Sequence, residues 1–275
     1  MPFGLFFFIS IIAGLTGSLS GMGGGIVLIP VLTYFGVDIK QAIALSSVSL
    51  VALSNSAAQG NVRRHMPNLK IVSFLELFGV LGALGGALIT FMLKKRLLFF
   101  LCGIFFLMIS FLIKKQPKEN WKLSVHHKPS SKLGWEGSYY DQVEGKTISY
   151  QGGQAALASV LVCGAGIIST LLGVGGSALM VIINNSVIGL PPKVSLTISN
   201  LIVGVIAIAG ANVYLEVGLI NPNLIVSIIP GIIIGALIGS KLIVYFTNEI
   251  IRGIFFVMLL GLGLEMIING LRGTL

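Results

Sequence analysis

Apolar residues run along this chain in long blocks, with polar residues confined to short gaps. The blocks cover about 3–20, 25–36, 41–60, 70–93, 97–113, 153–172, 177–190, 193–213, 222–246 and 250–270. A helix needs about 20 apolar residues to cross a bilayer. The blocks at 41–60, 70–93, 193–213, 222–246 and 250–270 meet that length, and 97–113 lies at its short limit. Blocks 25–36 and 177–190 are too short to cross alone. Each of the two follows a glycine-rich stretch, "GMGGG" at 21–25 and "GVGGS" at 173–177. Glycine costs about 1 kcal/mol per helical position relative to alanine. These stretches therefore predict breaks, and a broken helix inside a bilayer is tolerated only where protein buries it or a cavity is lined by it.

The pattern repeats. "SGMGGGIVLI" (20–29) aligns with "LGVGGSALMV" (172–181), "KQAIALSS" (40–47) with "KVSLTISN" (193–200), and "GALGG" (82–86) with "GALIG" (235–239). "NV" recurs at Asn61 and Asn212 and "PNL" at Pro67 and Pro222, and this ordered series of Gly, Lys, Asn and Pro matches points to duplication, which chance similarity of apolar helices does not produce. The expected architecture is an all-α integral membrane protein of two homologous halves. Residues 1–113 form the first transmembrane repeat and 151–275 the second. Each carries a glycine-rich, re-entrant helix pair and about three full crossings. With an odd number of crossings per half, the repeats are inverted.

Composition agrees: 55% of the 275 residues are hydrophobic and 10% charged. The excess of 18 Lys and Arg over 9 Asp and Glu is then a topology signal and implies no nucleic acid. Segment 114–150 holds seven lysines, four acids and His126-His127. It reads as a polar cytoplasmic loop, with "GSYYDQVEGKTISYQ" forming a small hairpin about Glu144-Gly145. Arg63, Arg64 and Lys70 fall on the same side as that loop. Lys94-Lys95-Arg96 is the discordant cluster. Cys102 and Cys163 sit in apolar blocks and read as packing residues, with no metal spacing and no cofactor motif. The N-terminus lacks a basic stretch before its apolar run, so it reads as part of the mature protein.

Glycine lets backbone N–H groups approach a ligand, and a half-helix beginning at a break aims its positive dipole end there. Together they make an anion site. Its candidate residues are Gly21, Gly23, Gly24 and Gly25 in the first half and Gly173, Gly175, Gly176 and Ser177 in the second. Ser46, Ser47, Ser199 and Asn200 are candidates to complete the shell. Against this, Ser and Thr in helices also bond their own backbone. "GALGGAL" and "PGIIIGALIG" read as close helix packing, and Asn184 and Asn185 as the cap of a short half-helix. Glu76 is a candidate for proton coupling, and Glu265 is a second acid within an apolar block. Nothing in the chain groups His, Cys and acids as an enzyme would. A transporter stands against two other classes: an anion channel, or a membrane scaffold that recruits partners through 114–150.

"GSLSGMGGGIVLIPVL" and its echo "STLLGVGGSALM", with the two-halved layout, resemble the sulfite exporter family of the TauE/SafE type. The resemblance spans nearly the whole chain except 114–150. In the second motif Ser177 replaces the third glycine and Ile182 stands where a proline is expected. The family implies a transporter in the cell membrane that moves sulfite or an organosulfonate outward, with a homo-oligomer left open. An importer coupled to a cation is the alternative, though the chain offers few buried acids to bind one.

Overall fold

In a computed structural model, residues 3–20, 23–62, 68–115, 134–141, 146–242 and 248–272 are described. Gly21, Arg63, Arg64, His126-His127 and the Glu144-Gly145 turn lie outside them. The first half contains α1 (Phe3–Ser20), α2 (Gly25–Tyr34), α3 (Ile39–Val62), α4 (Leu69–Met92) and α5 (Lys95–Lys115). The second contains α6 (Ala155–Leu172), α7 (Ser177–Ser186), α8 (Pro192–Glu216), α9 (Pro222–Leu242) and α10 (Asn248–Arg272). Between them, β1 (Glu136–Asp141) pairs antiparallel with β2 (Lys146–Gln151), Tyr139 opposite Ile148. Among the described residues, α4, α6, α8, α9 and Phe255–Arg272 of α10 are long and apolar enough to cross a membrane.

The two short apolar blocks form the ten-residue helices α2 and α7. The second block stops short of its apolar limit because Gly189 turns the chain at φ +85° and Pro192 opens α8. Each short helix folds back on the one before it. In the first half Phe6 of α1 meets Phe35 just beyond α2, ring centroids 6.1 Å apart. In the second, the Gly153 N–H donates to Ile188 O at 3.0 Å, tying the start of α6 to the end of α7. Both are hairpins whose free ends meet at a mouth away from the break.

The mouths lie at opposite ends of α4. At its C-terminal end, Lys40 Nζ donates to Phe91 O at 2.8 Å, and Lys95 pairs with Asp38 of the α2–α3 link. At its N-terminal end, Asn68 caps the helix by accepting the Lys70 N–H. Its amide donates to Gly134 O at 3.0 Å and Glu136 O at 2.7 Å. Trp135, 1% exposed, sits between Phe74 of α4 and Gly152. So the β-hairpin is fastened at the mouth of α6–α7.

Helices pair across the halves. α1 lies along α9 and α6 along α4, while α3 packs on α8 and α5 on α10. Exchanging the halves leaves this scheme unchanged. The glycines of the repeated motif make the contacts. A Cβ on Gly235 would overlap Ile11 O, and one on Gly82 would overlap Cys163 O, the matching positions of the two halves. The pairs α1–α9 and α4–α6 run parallel, since Gly231 meets Phe7 and Gly239 meets Leu15, while Gly82 meets Cys163 and Gly86 meets Ile167. The pair α5–α10 runs antiparallel: Gly103 faces Ile267, and Ser110 Oγ donates to Phe256 O at 3.2 Å.

Candidate functional site

The two breaks meet inside the bundle. Gly23 (φ +91°) carries a conformation few other residues adopt, and a Cβ on it would lie 3.0 Å from Val174 O. A Cβ on Gly25, the first residue of α2, would overlap both Gly173 O and Ser46 Oγ. Leu50 of α3 is wedged between the breaks. Its side chain would stand 2.5 Å from a Cβ on Gly23 and 2.7 Å from one on Gly175. Glycine at both positions is therefore a conformational requirement, and a Cβ at either would also displace the Leu50 side chain.

The breaks differ in detail. In the second, Gly173, Gly175 and Gly176 all take positive φ (+64°, +87° and +55°). Gly173 ends α6 by donating its N–H to Thr170 O at 3.2 Å. In the first, Gly24 is right-handed at φ −69° and begins the helical bonding, its carbonyl accepting from Leu28 N–H at 3.0 Å. Gly24 packs on Ala13 and Gly176 on Ser169 and Ala165, so each hairpin is closed on its own long helix. The described residues of both breaks are buried.

Of the predicted shell, Ser46 lies at the junction. Its Oγ donates to Gly173 O at 2.5 Å, linking the first half to the second break. Ser47 donates to Ile43 O at 3.0 Å, within its own helix. Ser177 is the buried first residue of α7, and Ser199 is fully buried on α8. Asn200 is half-buried beside it. Glu76 is half-buried on α4 next to Leu75, and none of the break contacts just described involves it. Glu265 on α10 keeps Oε1 buried without a hydrogen-bond partner.

Two polar groups lie outside the site residues expected from the sequence, in which Asn184 reads as a helix cap. Asn184 lies within α7, not at its cap, and is 0% exposed. Its Nδ2 donates to Ser199 Oγ at 2.9 Å, while Oδ1 has no partner. Leaving such an oxygen buried costs about 1–3 kcal/mol. The second group is Tyr214, whose hydroxyl donates to Thr170 O at 2.8 Å and lies 3.2 Å from Thr90 Oγ1. It ties α4 and α8 to the tip of α6. The signal for Asn184 was an amide directly after the apolar run 178–183 of a short helix. Outside the spans, burial pushes the Tyr150 phenol up, a backbone hydrogen bond at Asn68 opposes the rise, and nearby Tyr139 adds to it.

Paired broken helices meeting at the interface of two repeats are a form of substrate site found in membrane transporters. The family model described as "Sulfite exporter TauE/SafE" matches residues 6–266. A protein of Bacillus subtilis (strain 168), "Probable membrane transporter protein YunE", is 24% identical over 280 residues, spanning 98% of this chain and 99% of that protein. No solved structure matches. The protein is a multi-pass membrane transporter and not an enzyme. The chain belongs to the TauE/SafE sulfite exporter family.

Proposed function

We propose that the protein exports a small sulfur-containing anion, sulfite or an organosulfonate, by alternating access about the two glycine-rich breaks. The observation that carries this reading is the direct contact of the breaks: Gly25 and Ser46 from one half against Gly173 from the other. Backbone N–H groups at the starts of α2 and α7 supply the anion's donors, with Ser46, Ser47, Ser199 and Asn200 around them. Neutral donors hold an anion without the cost of burying a cation.

The two halves act as inverted repeats, 1–113 and 151–275, and rock about this junction. The antiparallel α5–α10 pair and the mouths at opposite ends of α4 support that arrangement. Segment 114–150 lies in the cytoplasm, its described strands β1 and β2 being fastened at the α6–α7 mouth. The discordant basic cluster at the other mouth is less of an obstacle than its charge suggests. Lys95 pairs with Asp38, and Arg96 lies over the Phe100 ring. An inside-negative potential then drives a monoanion outward with about 2.3 kcal/mol per 100 mV.

The test is sulfite efflux from proteoliposomes with the potential clamped, against sulfate and chloride. Saturable, potential-dependent sulfite flux is expected. Properly folded protein that moves neither sulfite nor an organosulfonate overturns the substrate.

A further inference from the structure

The halves match at the breaks but not along the short helices that leave them. Ser46 of α3 and Ser199 of α8 are counterparts, both fully buried. Ser46 donates to the opposite break. Ser199 instead accepts the Asn184 amide at 2.9 Å. The same amide nitrogen lies 3.5 Å from Ser195 O, and Ser195 Oγ donates to Leu190 O at 3.1 Å. Asn184, Ser195 and Ser199 thus make a buried polar seam between α7 and α8. It runs from Ser199, a candidate for the anion's shell, to Leu190, beside the α6–α7 mouth. In the first half the positions matching Asn184 and Ser195 are Leu32 and Ala42, both buried and apolar, so of the matching three only Ser46 is polar.

Asn184 Oδ1 has no partner in this seam. Leucine fills the matching position without leaving a polar atom unpaired, so an amide held here at that cost points to a ligand. The Ser199 hydroxyl serves equally as donor or acceptor, so the amide can turn end for end. Turned, its oxygen accepts from Ser199, the long 3.5 Å bond to Ser195 O is given up, and an N–H replaces the unpaired oxygen. That N–H suits an oxyanion.

We propose that Asn184 and Ser199 form a second anion-binding station, on an access route that joins the break to the α6–α7 mouth along α7 and α8. The inference rests on the exporter reading for its substrate, but not for its route. The first half has no such route, its seam being closed by Leu32 and Ala42.

The route is tested without any transport substrate. Asn184→Cys and Leu32→Cys are made separately, each with Cys102→Ala and Cys163→Ala, and reconstituted. A negatively charged, membrane-impermeant methanethiosulfonate is then added on either side. Labelling of Asn184→Cys from the β-hairpin side only, and none of Leu32→Cys, is expected. Labelling of both or of neither overturns the route. The station is tested by Asn184→Leu, which copies the first half and so retains a packed interior. KM for the transported anion should rise about ten-fold or more, with an unchanged melting midpoint in detergent. An unchanged KM overturns the station. Should the unaltered protein move no sulfur oxyanion, the substrate reading fails, while labelling and its slowing by added inorganic phosphate still decide the route and the station.

Discussion

Individual atoms set the contact between the breaks. Alanine at Gly25 places a methyl on Gly173 O and Ser46 Oγ. Overpacking of this kind costs about 1–3 kcal/mol, and here it separates the two breaks. Gly25→Ala should therefore lower sulfite flux about ten-fold or more, while Gly85→Ala, with nothing within 4 Å of its Cβ, leaves flux unchanged. The serines divide in the same way. Ser46→Ala orphans the Gly173 carbonyl and should cost about 1–3 kcal/mol, read as a lower melting midpoint in detergent. Ser47→Ala removes a bond within one helix turn and should shift that midpoint little. Both serines look alike in sequence, because what separates them is which carbonyl each side chain reaches. Asn184 escaped for a similar reason: a cap and a buried amide near a helix end present the same residue at the same place.

Among the elements, the glycines of α4 and α9 show what sequence could tell and what it could not. The repeated "GALGG" and "GALIG" marked two equivalent helices with close-packing faces. They did not mark the partners, because an apolar helix surface carries no label for its neighbour. The structure pairs α4 with α6 and α9 with α1 through backbone contacts at Gly82 and Gly235. Valine at either position pushes two helix backbones apart. Gly82→Val and Gly235→Val should each lower the melting midpoint, by a similar amount since the sites are equivalent. Gly164→Val, open around its Cβ, is the control and should leave it in place. The β-hairpin was legible from its aromatic and β-branched runs about a turn. Its attachment was not, since Trp135 and Asn68 are 67 residues apart in the chain.

Over the whole molecule, the sidedness is open to direct test. Thr147 is exposed on β2 at one mouth, and Lys94 is exposed at the other. Cysteines placed there singly, in a background with Cys102 and Cys163 replaced by alanine, should react with an impermeant thiol reagent from opposite faces of the membrane. Thr147→Cys should react from the cytoplasmic face. Reaction of both from one face would remove the inverted arrangement. The ordered Gly, Lys and Pro matches pointed to a duplication, and the helix pairing is unchanged when the halves are exchanged. The relative direction of the halves was left to the count of crossings, which depended on whether each break turns the chain back.

The exchange of partners between halves bears on how the protein is made. α1 finds its parallel companion, α9, only after roughly 220 further residues have been synthesised, about 10–40 s at usual rates of translation. Until then the stretch of α1 backbone along Phe7, Ile11 and Leu15, which the glycines of α9 meet, lacks that partner. A nascent first half is thus a holding state in the membrane rather than a finished domain. Assembly is completed late, by the arrival of the second half, and quality control has a long interval in which to act.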